Sequence, residues 1–228
     1  MPVDPETTSS PSSRPALAAF DFDGTLTWCD TLLPFLRHAV GARRFWQGFG
    51  RLVPVLAAYR LGLMHNERAK VRVLAHYLVG WSEERLAVAA RSFVAGPLEE
   101  MINGRAIEKL RWHQAAGHEV VIVSASPEFY IRPWAERLGV AAVLGTRLEM
   151  EHGRFTGRLS GANCYGPEKL RRLTRHFERL EDTDLFAYGD SRGDHDLLAA
   201  AQQRFYRTFT SGPRPLSTRL AFVRGLIG

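Results

Sequence analysis

Apolar positions along the chain follow two different periods. Leu17 to Phe22 is a short, unbroken apolar run bounded by turn residues, which predicts a buried strand. From Thr31 to about Gly104 the spacing changes. Leu32, Leu33, Phe35, Leu36, Val40, Phe45, Trp46, Phe49, Leu52, Val53 and Leu56 recur every three or four residues and predict helices. Pro34 and Pro54 are expected to interrupt them, and Gly41, Gly48, Gly50 and Gly62 to mark breaks or close packing. Asn66 is placed to cap a helix over Glu67 to Leu78, and Ser82 to start one over Glu83 to Phe93.

Beyond Gly104 the two periods alternate. Arg105 to Ala116 reads as a helix ending at Gly117, Glu119 to Ser124 as a strand, and Pro127 to Leu138 as a helix closed by Gly139. A short strand over Ala141 to Leu144 precedes a hairpin from Leu148 to Leu159 that turns at His152-Gly153. Pro167 to Leu180 reads as a helix, Leu185 to Tyr188 as a strand, Asp194 to Gln202 as a helix and Arg204 to Phe209 as an edge-like strand. Such alternation implies βαβ units, hence an α/β fold with a mostly parallel sheet. No internal repeat is visible.

The chain has 228 residues, 45% of them apolar, enough for one large domain or a core with a smaller inserted module. Its net charge of +6 suits an anionic partner. The excess is dispersed, with no basic tail and no nucleic-acid motif, so nucleic acid is not an expected partner. The two cysteines, Cys29 and Cys164, make neither a disulfide framework nor a zinc site, and point to a reducing cytoplasm. The first fifteen residues, rich in Pro, Ser and Thr, read as a disordered leader and not a signal peptide. No apolar run reaches eighteen residues, so no spanning helix is expected.

The candidate chemistry sits where strands end. Asp21 and Asp23 leave the first strand together, before Gly24 and Thr25. Ligands of open α/β sheets bind outside the carboxyl ends of the strands. Two carboxylates there repel unless a cation or a proton lies between them. Polar turn chemistry is the plainer account of D-x-D-G taken alone. Three more pieces follow in order: Ser124 at a strand end, Lys169 opening a helix, and Asp190 to Asp194 after an apolar strand. For Ser124 a helix N-cap is an alternative, with Ser126 another candidate for it. For Lys169 the alternative is a solvated helix lysine. The tripeptide Arg192-Gly193-Asp194 also spells an adhesion signal, which three letters produce by chance.

In this order and spacing the four pieces resemble the haloacid dehalogenase superfamily, in its phosphoserine phosphatase-like branch. The resemblance spans Leu17 to Phe209. It implies a three-layer Rossmann-like sandwich with an inserted α-helical cap: residues 16–27 and 104–228 as the catalytic core and 28–103 as the cap. It implies a phosphomonoester substrate and Mg2+. Asp21 would be the nucleophile, forming an aspartyl phosphate. Asp23 would be the acid/base, its backbone carbonyl a metal ligand. Lys169 would offset negative charge. Asp190, with Asp21, would ligate the metal, and Asp194 would be a further ligand or an orienting group. Ser124, the amide of Ala125 and the amides around Gly24 and Thr25 would bind phosphate. The second aspartate is absent from the superfamily's dehalogenases, so Asp23 argues against carbon–halogen hydrolysis.

Substrate identity stays open between a small phosphorylated metabolite and a lipid phosphate. Asp30 lies where phosphoserine phosphatases carry a substrate-contacting glutamate, and could equally cap the next helix. Phe45, Trp46 and Phe49 mixed with Arg43, Arg44, Arg51 and Arg60 read first as cap core. Alternatively they form a basic amphipathic surface for peripheral contact with an anionic membrane, a pattern loosely similar to the phosphatidylglycerophosphatase C branch. Histidinol-phosphate phosphatases occur among relatives too. Two rival functions remain: a phosphotransferase using the same aspartyl phosphate, and a membrane-surface binder with a relic site.

Overall fold

The computed structural model describes residues 14–210. Most of the expected leader, residues 1–13, and the end of the expected core, 211–228, lie outside the described residues.

Five parallel strands form one sheet in the order β3-β2-β1-β6-β7. They are β1 (Ala16–Phe20), β2 (Glu119–Pro127), β3 (Ala142–Thr146), β6 (Asp184–Gly189) and the edge strand β7 (Gln203–Tyr206). The strands β4 (Leu148–Glu151) and β5 (Arg154–Leu159) make the separate hairpin, turning at His152 and Gly153, both with positive φ. β1 is apolar on both sides because both faces of the sheet are covered. Leu17 and Ala19 pack with Val121, Val123, Leu173 and Leu197, against α7 (Pro167–His176) and α8 (His195–Ala200). Ala18 and Phe20 pack on the other face with Leu110, Tyr130 and Ile131, against α5 (Gly104–Ala115) and α6 (Glu128–Glu136). This is a three-layer α/β/α arrangement.

An insertion of four α-helices stands between β1 and α5: α1 (Leu32–Val40), α2 (Ala42–Arg60), α3 (Asn66–Leu78) and α4 (Glu83–Val94). The two ends of this insertion meet. Thr27 and Ile102 form an antiparallel bridge, with Trp28 N donating to the Met101 carbonyl and Asn103 N to the Leu26 carbonyl, each at 2.9 Å. The inserted helices therefore leave and rejoin the core through a closed stem. Their core, with Phe35, Phe45, Leu74 and Phe93, is continuous with one face of the sheet.

Several local expectations need correction. Pro54 does not break α2, which runs through it. Both Pro54 and Gly50, whose carbonyl the ring deprives of a donor, are exposed, so water can serve that carbonyl. Gly48 is a packing glycine: a Cβ would lie 2.5 Å from His76 Nε2. Asn66 does not cap α3; its side chain bonds Tyr59 and Asn163 instead. Neither Ser124 nor Ser126 caps α6, since β2 runs on to Pro127. α7 stops at His176, short of Leu180. Ser82 does cap α4, accepting from Arg85 N at 3.2 Å.

Candidate active site

Register brings the chemistry together. Phe20 pairs with Ile122 on one side and with Tyr188 on the other. One or two residues further on, Asp21, Ser124 and Asp190 therefore stand in one row at the carboxyl end of the sheet. Side-chain alternation gives Asp21 the parity of Leu17 and Ala19, the face that α7 covers. Lys169, in the first turn of α7, reaches it there: Nζ donates to Asp21 Oδ1 at 2.7 Å and to Asp194 Oδ1 as well.

Lys169 is thus buried and paired, not solvated. Burial alone would lower its pKa, but the carboxylates of Asp21 and Asp194 outweigh that and raise it above the ordinary ammonium value. Asp194 shows the converse. Burial works against its charge, yet Lys169 and the donors around Ser191 hold its pKa below the usual carboxylate value. Its Oδ2 accepts from the backbone N of Asp190 and Ser191 and from Ser191 Oγ, while Ser191 Oγ accepts from Gly193 N in a reciprocal cap. With one oxygen used by this turn and the other by Lys169, Asp194 orients the Asp190 loop.

Asp21 and Asp190 are held differently. Burial first, then the charges of Asp194 and Asp190, push Asp21 well above the ordinary carboxylate value despite Lys169. Burial, Asp194 and Asp23 raise Asp190 to about 6. Asp190 Oδ1 is buried with no hydrogen-bond partner among the described residues. Oxygens of Asp21, Asp190 and Asp194 lie within 4.8 Å of one another. A partnerless buried carboxylate oxygen in a cluster of oxygen donors fits a hard divalent cation.

The turn after β1 completes the floor. Asp21 extends the strand, and Gly24 takes φ +76°, closing a wide turn over Phe22–Leu26. A Cβ on Gly24 would sit 2.3 Å from Asp190 Oδ2. Gly24→Ala therefore has to displace the Asp190 carboxylate or the turn. Its expected result is a fold destabilised by about 1–2 kcal/mol or more, the cost of left-handed strain at a residue with a Cβ, read by thermal denaturation. An unchanged melting temperature would contradict the close approach.

Asp23 is turned the other way. Its Oδ1 accepts from Thr31 N at 2.8 Å and from Thr31 Oγ1 at 2.6 Å, and its Oδ2 accepts from Ser126 Oγ. Thr31 Oγ1 in turn lies 3.1 Å from the Tyr130 hydroxyl. Neither Thr31 nor Ser126 carried this role in the sequence reading.

Above these groups is a cavity of about 520 Å³, lined by Asp21, Asp23, Gly24, Ser124, Ala125, Lys169 and Asp190 from the core. Thr25 is buried beside it but does not line it. From the insertion come Asp30, Leu56, Tyr59 and Lys70. Asp30 Oδ1 does accept from Leu32 N, at 2.9 Å, as a cap would. Its surface opens into the cavity, yet the surrounding protein desolvates it; burial and Asp23 raise its carboxyl to about 7. Lys70 was not anticipated. Its Nζ donates to the Ala125 carbonyl at 2.5 Å and to Asn163 Oδ1 at 3.0 Å, and burial lowers its pKa to about 8 against Asp30 and Asp23. A signal existed: Lys70 lies on the apolar stripe of α3 with Ala69, Val73 and Leu74. Arg171 and Arg172, on the next turn of α7, pair with Glu168 instead. Arg207, also unanticipated, donates from Nε to the Asp190 carbonyl at 2.9 Å and lines the mouth.

Known proteins resemble this chain in sequence and fold. Residues 18–199 match the model of the haloacid dehalogenase-like hydrolases. Protein CicA of Caulobacter vibrioides is 38% identical over 205 residues, covering 88% of this chain and 89% of that protein. Phosphoserine phosphatase SerB1 of Mycobacterium tuberculosis is 28% identical over 196 residues, 83% of this chain and 63% of that one. The crystal structure of a Bordetella pertussis protein of unknown function superposes with a TM-score of 0.76 at 26% identity, covering 93% of this chain and 97% of that one. The sheet order, the strand-end aspartates and these matches agree: the chain belongs to the haloacid dehalogenase-like hydrolase family.

Proposed function

We propose that this chain is a Mg2+-dependent phosphomonoesterase working in two steps through a phosphoryl group on Asp21. The observation that carries it is the surroundings of that carboxylate. It lies on the cavity floor with Lys169 on one side and the partnerless Asp190 oxygen on the other. In the first step an Asp21 oxygen attacks phosphorus, the ester P–O bond breaks, and Asp23 gives its proton to the departing alkoxide. In the second, Asp23 takes a proton from water, whose oxygen attacks phosphorus. The acyl–phosphate bond breaks and free phosphate leaves. Lys169 offsets negative charge beside Asp21, and Ser124 with the amides near Gly24 and Ala125 receives phosphate oxygens. Asp21 and Asp190, braced by Asp194, would hold Mg2+, which supplies positive charge that lets carboxylate and phosphate approach. We assign the leaving group to the end of the cavity lined by Asp30 and Lys70.

The test is phosphate release with and without Mg2+. Substrates are phosphoserine, histidinol phosphate and other soluble esters beside lipid phosphates in mixed micelles. Release that stops with chelator and returns with Mg2+ is expected. Undiminished turnover in chelator would remove the metal assignment, and no release from any ester would remove the hydrolase.

The same carboxylates set a pH dependence. In the cation-free protein the folded pKa of Asp190, about 6, lies above its unfolded value near 3.8, and Asp21 shifts in the same direction. Such groups stabilise the fold fully below the unfolded pKa, and that contribution is lost as pH rises through the folded one. A bound cation reverses this penalty. Mg2+ should therefore raise the melting temperature more at pH 7.5 than at pH 5, and its apparent affinity should fall as pH drops through about 6. A metal-induced shift that is equal at both values would show that these carboxylates do not hold the ion.

A further inference from the structure

We propose that the outer face of α2 docks the protein on an anionic lipid surface. Trp46, Gly50, Val53, Ala57 and Leu61 succeed one another at three- and four-residue steps, so they share one side of the helix and its C-terminal turn. All five are exposed. Trp46 keeps 47% of its surface, Val53 50% and Leu61 73%, and Leu63 just beyond keeps 79%. The opposite side, with Phe45, Leu52 and Leu56, is buried. α2 is thus apolar on both sides, whereas a helix facing only water has a polar outer face. Trp46 is braced outward by edge contacts with Phe45 and Phe49, at 5.2 and 5.4 Å between centroids.

Charge selects the occupant. From Thr31 to Asn66 the sequence contains Arg37, Arg43, Arg44, Arg51 and Arg60 and no Asp or Glu. Elsewhere Arg132, Arg137, Arg147, Arg158, Arg171, Arg172 and Arg179 pair with carboxylates. Arg43, Arg44 and Arg51 are exposed and form no ion pair among the described residues. A two-fold contact between copies would set this unbalanced positive segment against itself. An anionic bilayer accepts both features: the apolar stripe enters the headgroup boundary, and the arginines meet lipid phosphates. The inner side of α2 contributes Leu56 and Tyr59 to the cavity. Docking therefore holds that cavity about one helix diameter, ~10 Å, from the surface.

The test uses the full chain and vesicles, and reads binding without any turnover. The protein should sediment with phosphatidylcholine vesicles containing about 30% phosphatidylglycerol and stay in solution with pure phosphatidylcholine. Reversal of three arginines (R43E/R44E/R51E) should weaken binding at least tenfold, since each basic residue near such a surface contributes roughly fivefold. W46S/V53S should weaken it at low salt as well, where charge attraction alone would persist. Hydrolysis of a soluble ester, or the melting temperature if no ester is hydrolysed, should not change in either variant. Failure to bind anionic vesicles, binding indifferent to both sets of substitutions, or self-association that W46S/V53S abolishes in a chain that ignores vesicles would each overturn the proposal.

Discussion

Asp21→Asn should abolish phosphate release while leaving the protein as stable as before, or more so in chelator. The expected loss is on the order of 10⁵ or more, the scale reached when a catalytic nucleophile is deleted. An amide oxygen in that position cannot open the ester bond and carry the phosphoryl group. Stability should move the other way. Asp21 is buried beside Asp190 and Asp194, and its charge is disfavoured by burial and by both neighbours. A neutral, nearly isosteric side chain removes that repulsion. Lys169 loses one partner but keeps Asp194, so its ammonium is not stranded. Two measurements decide the matter. Rapid acid quenching of the wild type during turnover should trap a phosphoryl-protein that hydroxylamine cleaves, and the variant should trap none. Retained turnover in the variant, with Mg2+ saturating, would sink the nucleophile assignment.

Much of this site was legible because it is built from strand ends. A parallel strand buried on both faces is a continuous apolar run, and the residues just beyond it must lie at the carboxyl edge of the sheet. Asp21, Ser124 and Asp190 could be found that way. The register of β1 with β2 and β6 puts them in one row. Lys169 was accessible through its position at a helix start. What stayed hidden depends on packing between the insertion and the core. Thr31 is eight residues from Asp23, and Ser126 is 103 away. Both are small polar residues that local rules assign to caps and turns. Asn66 is the same error in reverse: its side chain looked like a cap and instead spans to Tyr59 and Asn163. Lys70 shows why a charged residue on an apolar stripe repays notice. It points inward because at Lys70 the stripe borders the cavity, while Val73 and Leu74 join the core beside it. Pro54 failed for a simpler reason. The rule that proline breaks helices assumes that the freed carbonyl has nowhere to go, and on an exposed face it has water.

Asp23→Asn separates chemistry from scaffolding most sharply. If Asp23 only shaped the turn, the variant would lose stability and keep its rate. As the proton donor and acceptor of both steps, it should instead cost about 10²–10⁴ in turnover. The carboxylate is well placed for the task. Thr31 N fixes one oxygen, while the hydroxyls of Thr31 and Ser126 can rotate their hydrogens as Asp23 gains or gives a proton. The effect should depend on the leaving group. Nitrophenolate departs without a proton, so Asp23→Asn should still release it once per enzyme from p-nitrophenyl phosphate in a rapid burst. Attack of water on the phosphoryl-Asp21 group still needs a base, so the burst should be followed by slow turnover and accumulation of labelled protein. Alkyl phosphates, whose alkoxides must be protonated as they leave, should show no burst. Equal loss for both ester classes, without accumulation of a phosphoryl-protein, would return Asp23 to a structural role. A melting temperature within a few degrees of the wild type makes the comparison valid, because Thr31 N still finds the amide oxygen and only the Ser126 contact has to turn.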